Sequence, residues 1–248
     1  GIDTVVMISA PVGDWDRVAM HRNVIAAAKQ AIADSGWAPT DPHELEQTGI
    51  YLGSGIGGLQ RIANNTRILD ERGPKRISPF FVPGSLANLT GGYLSIEYGF
   101  GGPNLAVSTA CSSGAHAIGE SARMIQSGDA NVMVAGGSEA AVSRLAMAGF
   151  ASARALSTKF NDTPEKASRP WDQDRDGFVI GEGGGVLILE EYEHAKKRGA
   201  KIYCELKGYG VSGDAHHITA PPEDGRGAMR AMKRALQTAK LDPSAVDY

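Results

Sequence analysis

Apolar residues recur along the chain at two spacings, and the spacing predicts the element. From Arg17 to Ser35, Ile25, Ala28 and Ile32 share one face at intervals of three and four, which predicts a helix stopped by Gly36. Thr48 to Gly53 is a short strand running into a glycine cluster, and Leu59 to Glu71 is helical and charged. Gly84 to Tyr98 has a helical outline broken by Gly91-Gly92. Leu105 to Ala110 mixes Leu, Val and Thr as a buried strand does. Beyond it, Ala115, Ile118, Ala122 and Ile125 return at helical spacing, so Ser112 to Gln126 predicts a helix with one apolar stripe, ended by Ser127-Gly128. Asn131 to Ala135 reads as a strand closed by Gly136-Gly137, followed by Glu139 and a small-residue stretch to Phe150. Val186 to Leu189 is a buried strand, Glu191 to Arg198 a charged helix stopped by Gly199, and Lys201 to Val211 a further strand with Cys204 inert inside it. Gly227 to Ala239 is the last helix, and Gly1 to Asp16 shows no recognisable first strand.

Strands alternating with helices predict an α/β fold. Within that frame, Val107-Ser108-Thr109-Ala110-Cys111-Ser112-Ser113-Gly114 places one thiol between a strand and the start of a long helix. Unsatisfied amides and the positive end of a helix dipole favour a thiolate there, and the same amides can hold an oxyanion. Thiolate and oxyanion stabilisation together are the minimum for acyl transfer through a covalent thioester. The small residues around Cys111 let a substrate approach the backbone.

Composition narrows the classes. The 248 residues are 42% hydrophobic and 21% charged, enough for one or two globular domains with a sizeable core. No apolar run approaches the roughly 18 residues of a membrane span. Two cysteines far apart in sequence predict a reducing, cytoplasmic setting rather than a disulfide framework. A net charge of −3 lacks the basic surplus that nucleic acid requires. An acidic partner would have to meet a local patch, for which Arg61, Arg67, Lys75, Arg76, Arg154 and Lys159 are candidates. Gly53 to Gly58 formally satisfies G-x-G-x-x-G, but no second strand ending in an acidic residue follows at the required distance, so a dinucleotide site is a weak reading. Trp171 to Asp176 lacks the Gly and terminal Glu of a calcium loop, and predicts instead a buried network of Arg175 with aspartates. His216 and His217 are adjacent on an extended segment and point apart, so they do not chelate one ion together. His116 is turned about 140° from Cys111 on the helix and is read as structural.

The segment Gly102-Pro103-Asn104-Leu105-Ala106-Val107-Ser108-Thr109-Ala110-Cys111-Ser112-Ser113-Gly114 resembles the active-site region of the β-ketoacyl-acyl carrier protein synthases, most of all the long-chain type. Ile77 to Pro83, Ala153 to Thr158, Ser168 to Phe178 and Glu190 to Lys201 agree with the same family in the family's order. The resemblance runs from about Arg17 to Tyr248. It implies a thiolase-like fold, with a mixed five-stranded sheet covered by helices, a first strand not recognisable here, and a partner half that duplicates the first. It also implies decarboxylative condensation of an acyl group on Cys111 with malonyl-acyl carrier protein. Ile56, at the gate of the acyl pocket, Ala110 and Phe150 would surround the acyl tail, and Phe81 would lie near the subunit interface and the acyl tunnel. Asp214 and Thr219 would belong to a mobile loop at the pantetheine entrance, and Lys75, Arg76 and Arg154 would meet the carrier protein. A homodimer is expected, and no metal or redox cofactor, since the phosphopantetheine arrives on the substrate.

The family's two catalytic histidines, its lysine and its glycine-phenylalanine oxyanion loop have no counterpart in the sequence, and Tyr248 matches the position just before the family's His-Gly-Thr segment. The expectation is therefore that residues 1–248 form the N-terminal part of a longer synthase. Competing readings are a polyketide-type ketosynthase or another thiolase-like acyltransferase, and, outside enzymes, an inactive half or interaction subunit, which the presence of Cys111 disfavours.

Overall fold

The computed structural model describes residues 5–9 and 19–248. In chain order the principal elements are β1 (Val5–Ser9), α1 (Ala19–Ser35), α2 (Pro42–Glu46), β2 (Thr48–Gly53), α3 (Leu59–Arg72), α4 (Leu89–Tyr98), β3 (Asn104–Val107), α5 (Ser113–Ser127), β4 (Val132–Glu139), α6 (Arg144–Ser152), β5 (Gly183–Glu191), α7 (Tyr192–Lys197), β6 (Cys204–Leu206) and α8 (Arg226–Ala239). The strands form one mixed sheet in the order β3-β2-β4-β5-β1-β6. β3, β2 and β4 run parallel, while β5 and β1 each pair antiparallel with their neighbours.

The central strands β2, β4 and β5 are largely buried on both faces, and strand alternation assigns the faces. Val132 and Val134 of β4 and Val186 and Ile188 of β5 join Ile50 and Leu52 in a core with Val24, Ala27, Ala28, Ala31 and Ile32 of α1. The intervening Met133, Ala135 and Leu189 pack with Ala122 and Ile125 of α5 on the other side. Ile118, Ala122 and Ile125 of the predicted α5 stripe thus face the core, whereas Ala115 is exposed and Ala117 is buried instead. No described helix is long and apolar enough to cross a membrane.

Several expectations are corrected. The sheet has six strands, because Val5–Ser9 forms an interior strand between β5 and β6. Its register pairs Val5 with Glu191, a partner so remote in sequence that no hairpin signal announces it. Most of residues 1–16, and residues 17 and 18 of the predicted first helix, lie outside the described residues. The helix expected from Gly84 starts only at Leu89, after a run of turns. The small-residue stretch beyond Glu139 contains an unpredicted helix, α6, capped by the Ser143 hydroxyl, which accepts the Ala146 N–H. The strand expected over Lys201 to Val211 contracts to Cys204–Leu206, and the backbone of Tyr209 instead bonds the Thr238 hydroxyl of α8. Cys204 is exposed on this edge strand rather than enclosed. Arg175 is exposed too, donating to the Asp172 carbonyl at 3.0 Å. Asp176 does the fastening: it accepts the Ser157 hydroxyl and the amides of Thr158 and Lys159, which hold its pKa down at about 2.

Among the described residues, one charged side chain lies fully inside the fold. Glu190, the penultimate residue of β5, has no solvent exposure and receives Arg198 on both oxygens, Nε at 2.7 Å and Nη2 at 2.6 Å. His194 Nδ1 lies 2.6 Å from Glu190 Oε1 and its Nε2 3.2 Å from Glu44 Oε2. Burial alone would raise the Glu190 carboxyl, but the hydrogen bonds and charges of Arg198 and His194 outweigh it and bring its pKa below the ordinary 4.5. The hydrogen bond to Glu190 lifts His194 above 6.5, against the opposing effect of burial. A carboxyl with a lowered folded pKa contributes stability that is lost as pH falls below 4.5, and a raised histidine contributes stability that is lost as pH rises above 6.5. Urea midpoints measured against pH are therefore expected to peak between these values, and His194→Gln to remove the alkaline limb and to soften the acid one, since His194 also helps to hold the Glu190 pKa down.

Candidate active site

β3 stops at Val107, and the next residues turn sharply before α5. Ala110 adopts φ +52°, a left-handed conformation that costs a residue with a Cβ about 1–2 kcal/mol. Ser113 compensates: its hydroxyl accepts the Thr109 N–H at 2.9 Å and donates to the Ala110 carbonyl at 2.7 Å. Thr109 Oγ1 lies 2.7 Å from His116 Nδ1, so His116 braces the turn rather than meeting the thiol. Gly53 lets this arrangement reach the sheet, because a Cβ there would collide with the backbone of Ser113.

Cys111 is thereby held exposed, one residue before the N-cap of a 15-residue helix. Cys111 thus adjoins the positive end of the α5 dipole, which suits developing negative charge on a tetrahedral adduct. It opens into a cavity of about 780 Å³ whose wall includes Ile56, Ala110, Ile118, Phe150, Phe178 and Leu187. Phe150 and Phe178 meet edge to face, 5.2 Å between centroids. Cys111 and Glu139 are the only titratable side chains among the described residues of that wall. A nucleophile at the mouth of an apolar cavity is the arrangement an acyl chain requires.

Cys111, Ile56, Ala110 and Phe150 are thus brought together. Phe81, Asp214 and Thr219 are not among the cavity's lining residues. Phe81 is half-buried in the turns before α4, Asp214 packs against Gly227 at the start of α8, and the Thr219 N–H donates to His217 Nδ1 at 3.2 Å. Lys75 and Arg76 are exposed on a single 3₁₀ turn, and Arg154 is exposed just after α6 with φ +54°. No group of three or more His, Cys, Asp or Glu among the described residues is arranged to hold a metal ion.

Glu139 was not recognised as part of the site from sequence. Its Oε2 accepts the N–H groups of Gly55 and Ile56 at 2.8 and 2.9 Å, across 84 and 83 residues. These are the amides that would cradle a pyrophosphate, and a carboxylate already occupies them, which removes the dinucleotide reading of Gly53 to Gly58. The available signal was a lone acid two residues beyond Gly136-Gly137 at the end of a buried strand.

Residues 16–195 match the family model described as the N-terminal domain of β-ketoacyl synthase, and residues 203–248 match that of its C-terminal domain. A mitochondrial 3-oxoacyl-[acyl-carrier-protein] synthase of Arabidopsis thaliana is 58% identical over 224 residues, 90% of this chain and 49% of that protein. A 3-oxoacyl-[acyl-carrier-protein] synthase 2 of Rhizobium meliloti is 57% identical over 242 residues, 95% of this chain and 58% of that protein. The chain spans about half the length of the curated relatives it matches. Among solved structures, a β-ketoacyl synthase of Burkholderia phymatum superposes with a TM-score of 0.83 at 34% identity, covering 96% of this chain and 59% of the other. A type II polyketide ketosynthase in complex with its acyl carrier protein superposes at 0.82 and 32% identity, covering 91% of this chain and 56% of the other. The fold is therefore thiolase-like.

Proposed function

Because the chain belongs to the β-ketoacyl synthases, we propose that it carries the acyl-accepting site of a decarboxylative condensation that lengthens fatty acyl chains by two carbons. The observation that carries this reading is the exposed Cys111 at the start of α5, opening into an apolar cavity. The Cys111 thiolate attacks the carbonyl of an acyl-carrier-protein thioester. The Cys111 amide contributes one donor to the oxyanion of the tetrahedral adduct, which collapses by expelling the pantetheine thiolate. Malonyl-carrier protein then loses carbon dioxide, and the resulting enolate carbon attacks the enzyme thioester. Expulsion of the Cys111 thiolate leaves a β-ketoacyl product on the carrier. The acyl tail lies along Ile56, Ala110 and Phe150, while Phe81, Asp214 and Thr219 act from outside this cavity, at the subunit contact and the pantetheine entrance. No metal or redox cofactor enters this scheme. The identities of 57% and 58% to 3-oxoacyl synthases, against 32% to a polyketide ketosynthase, support fatty acyl rather than polyketide substrates.

Lys75, Arg76 and Arg154 are proposed to receive the acidic carrier protein, an assignment supported by their exposure in a chain of net charge −3. The edge of β3, which no other described strand pairs and where Leu105 is exposed, supports a homodimer. Two free, separated cysteines support a cytoplasmic location. Incubation with acyl-carrier protein, read by intact mass, is expected to add one acyl group to the chain, and no adduct would sink the proposal. Reversing the charge of Lys75, Arg76 and Arg154 together should slow this transfer by roughly tenfold at low salt and much less at high salt. Transfer from a small acyl thioester should be unaffected by the reversal, since no carrier surface is then read.

A further inference from the structure

Acyl transfer to Cys111 gives Glu139 no chemical task, although its side chain is part of the cavity wall. Its bonding is directed at the neighbouring loop. Oε2 accepts the Gly55 and Ile56 amides at 2.8 and 2.9 Å, and the Ser54 hydroxyl lies 3.3 Å from Oε1. The same loop is held from its other side, because the Gly55 carbonyl accepts the Ser108 hydroxyl at 3.0 Å, three residues before the nucleophile. Gly55 is closely enclosed: a Cβ would stand 3.0 Å from Glu139 Oε2 and 3.1 Å from the Ala110 carbonyl oxygen. A glycine-rich loop with no apolar anchor of its own is therefore fastened between the end of β4 and the turn that carries Cys111. The residue it presents to the cavity is Ile56.

We propose that Glu139 is a positioning residue that sets acyl-length selectivity, because by holding the Gly55 and Ile56 amides it fixes the Ile56 side chain in the cavity and limits the chain length that reaches Cys111. This rests on the acyl-transfer reading above. Without the two bonds to its adjacent amides the loop is held from the Ser108 side only, and Ile56 can be carried aside. Long acyl chains then gain space and short ones lose a wall. Both amide bonds converge on one oxygen, so a glutamine that places its carbonyl oxygen there, with its N–H donating to the Ser54 hydroxyl, preserves the fastening. An aspartate is one methylene too short to do so.

The test is the rate of Cys111 acylation, read by intact mass on the full protein, with hexanoyl- and tetradecanoyl-N-acetylcysteamine as donors. Glu139→Ala and Glu139→Asp are each expected to shift the ratio of the two rates about tenfold toward tetradecanoyl, the scale at which pocket contacts discriminate chain length. Glu139→Gln should stay within about twofold of the native ratio, and Ile56→Ala should shift it as Glu139→Ala does. The double variant Glu139→Ala/Ile56→Ala should show little further shift, since both act on one contact. Should the alanine variant fail to fold, the aspartate variant carries the test. Equal loss of both rates in Glu139→Asp, or a Gln variant that shifts like Asp, overturns the proposal. Failure of the native protein to accept either acyl group overturns the acyl-transfer reading together with it, whereas an unchanged ratio overturns this proposal alone.

Discussion

Cys111→Ala is expected to abolish acyl-enzyme formation, a loss of roughly 10³-fold or more, because removal of the nucleophile leaves only binding and oxyanion contacts behind. The competing outcome is real, since Cys204 is also exposed. The two thiols differ in setting: Cys111 opens into the apolar cavity and adjoins a helix N-terminus, whereas Cys204 lies on the edge strand β6. Cys204→Ala should therefore retain the native acylation rate. Cys111→Ser keeps the shape of the turn but offers a hydroxyl with no neighbouring base among the lining residues except Glu139, which is occupied by the Gly55 and Ile56 amides. It should be nearly as inactive as the alanine variant. Single-turnover acylation followed by intact mass measures all three.

Arg198→Ala is expected to cost about 3–5 kcal/mol of stability, the range seen when one partner is removed from a buried ion pair. Glu190 has no exposure and would lose both Arg198 contacts at once. The same guanidinium donates to the Ser35 carbonyl at 3.0 Å and stands 5.2 Å over the Trp37 ring, so it also ties the end of α1 to α7. Arg198→Lys should recover little, because an ammonium cannot bridge both oxygens in this planar geometry. A fall in the urea midpoint with an unchanged m-value would measure the loss. Glu190 pairs with Val132 at one end of β4, while the cavity is built on Gly136 to Glu139 at the other. The folded variant should accordingly acylate Cys111 at the native rate.

The sequence disclosed the nucleophile because its chemistry is contiguous: a strand, a small-residue turn and a helix start are all written within Val107 to Gly114. It disclosed the two-sided core for the same reason, since apolar runs such as Val186 to Leu189 are patterned locally. The contacts that finish the site are not local. Glu139 acts on amides more than 80 residues away, and nothing in its own surroundings specifies that reach. The interior strand β1 is paired only with segments from the other end of the chain, and its five residues carry too little pattern to be recognised alone. Cys204 was expected inside a long strand, but that strand is short and lies at the sheet edge, where alternation places side chains without a covering layer. The left-handed Ala110 was invisible because its strain is offset by Ser113 and not by a glycine.

The account depends on the sulfur of Cys111 accepting an acyl group, and peptide mapping after exposure to an acyl thioester tests this most directly. The predicted result is one hydroxylamine-labile acyl group on the peptide containing Cys111. An acyl group found on the Cys204 peptide instead, with the Cys111 thiol still free to alkylate, would contradict it.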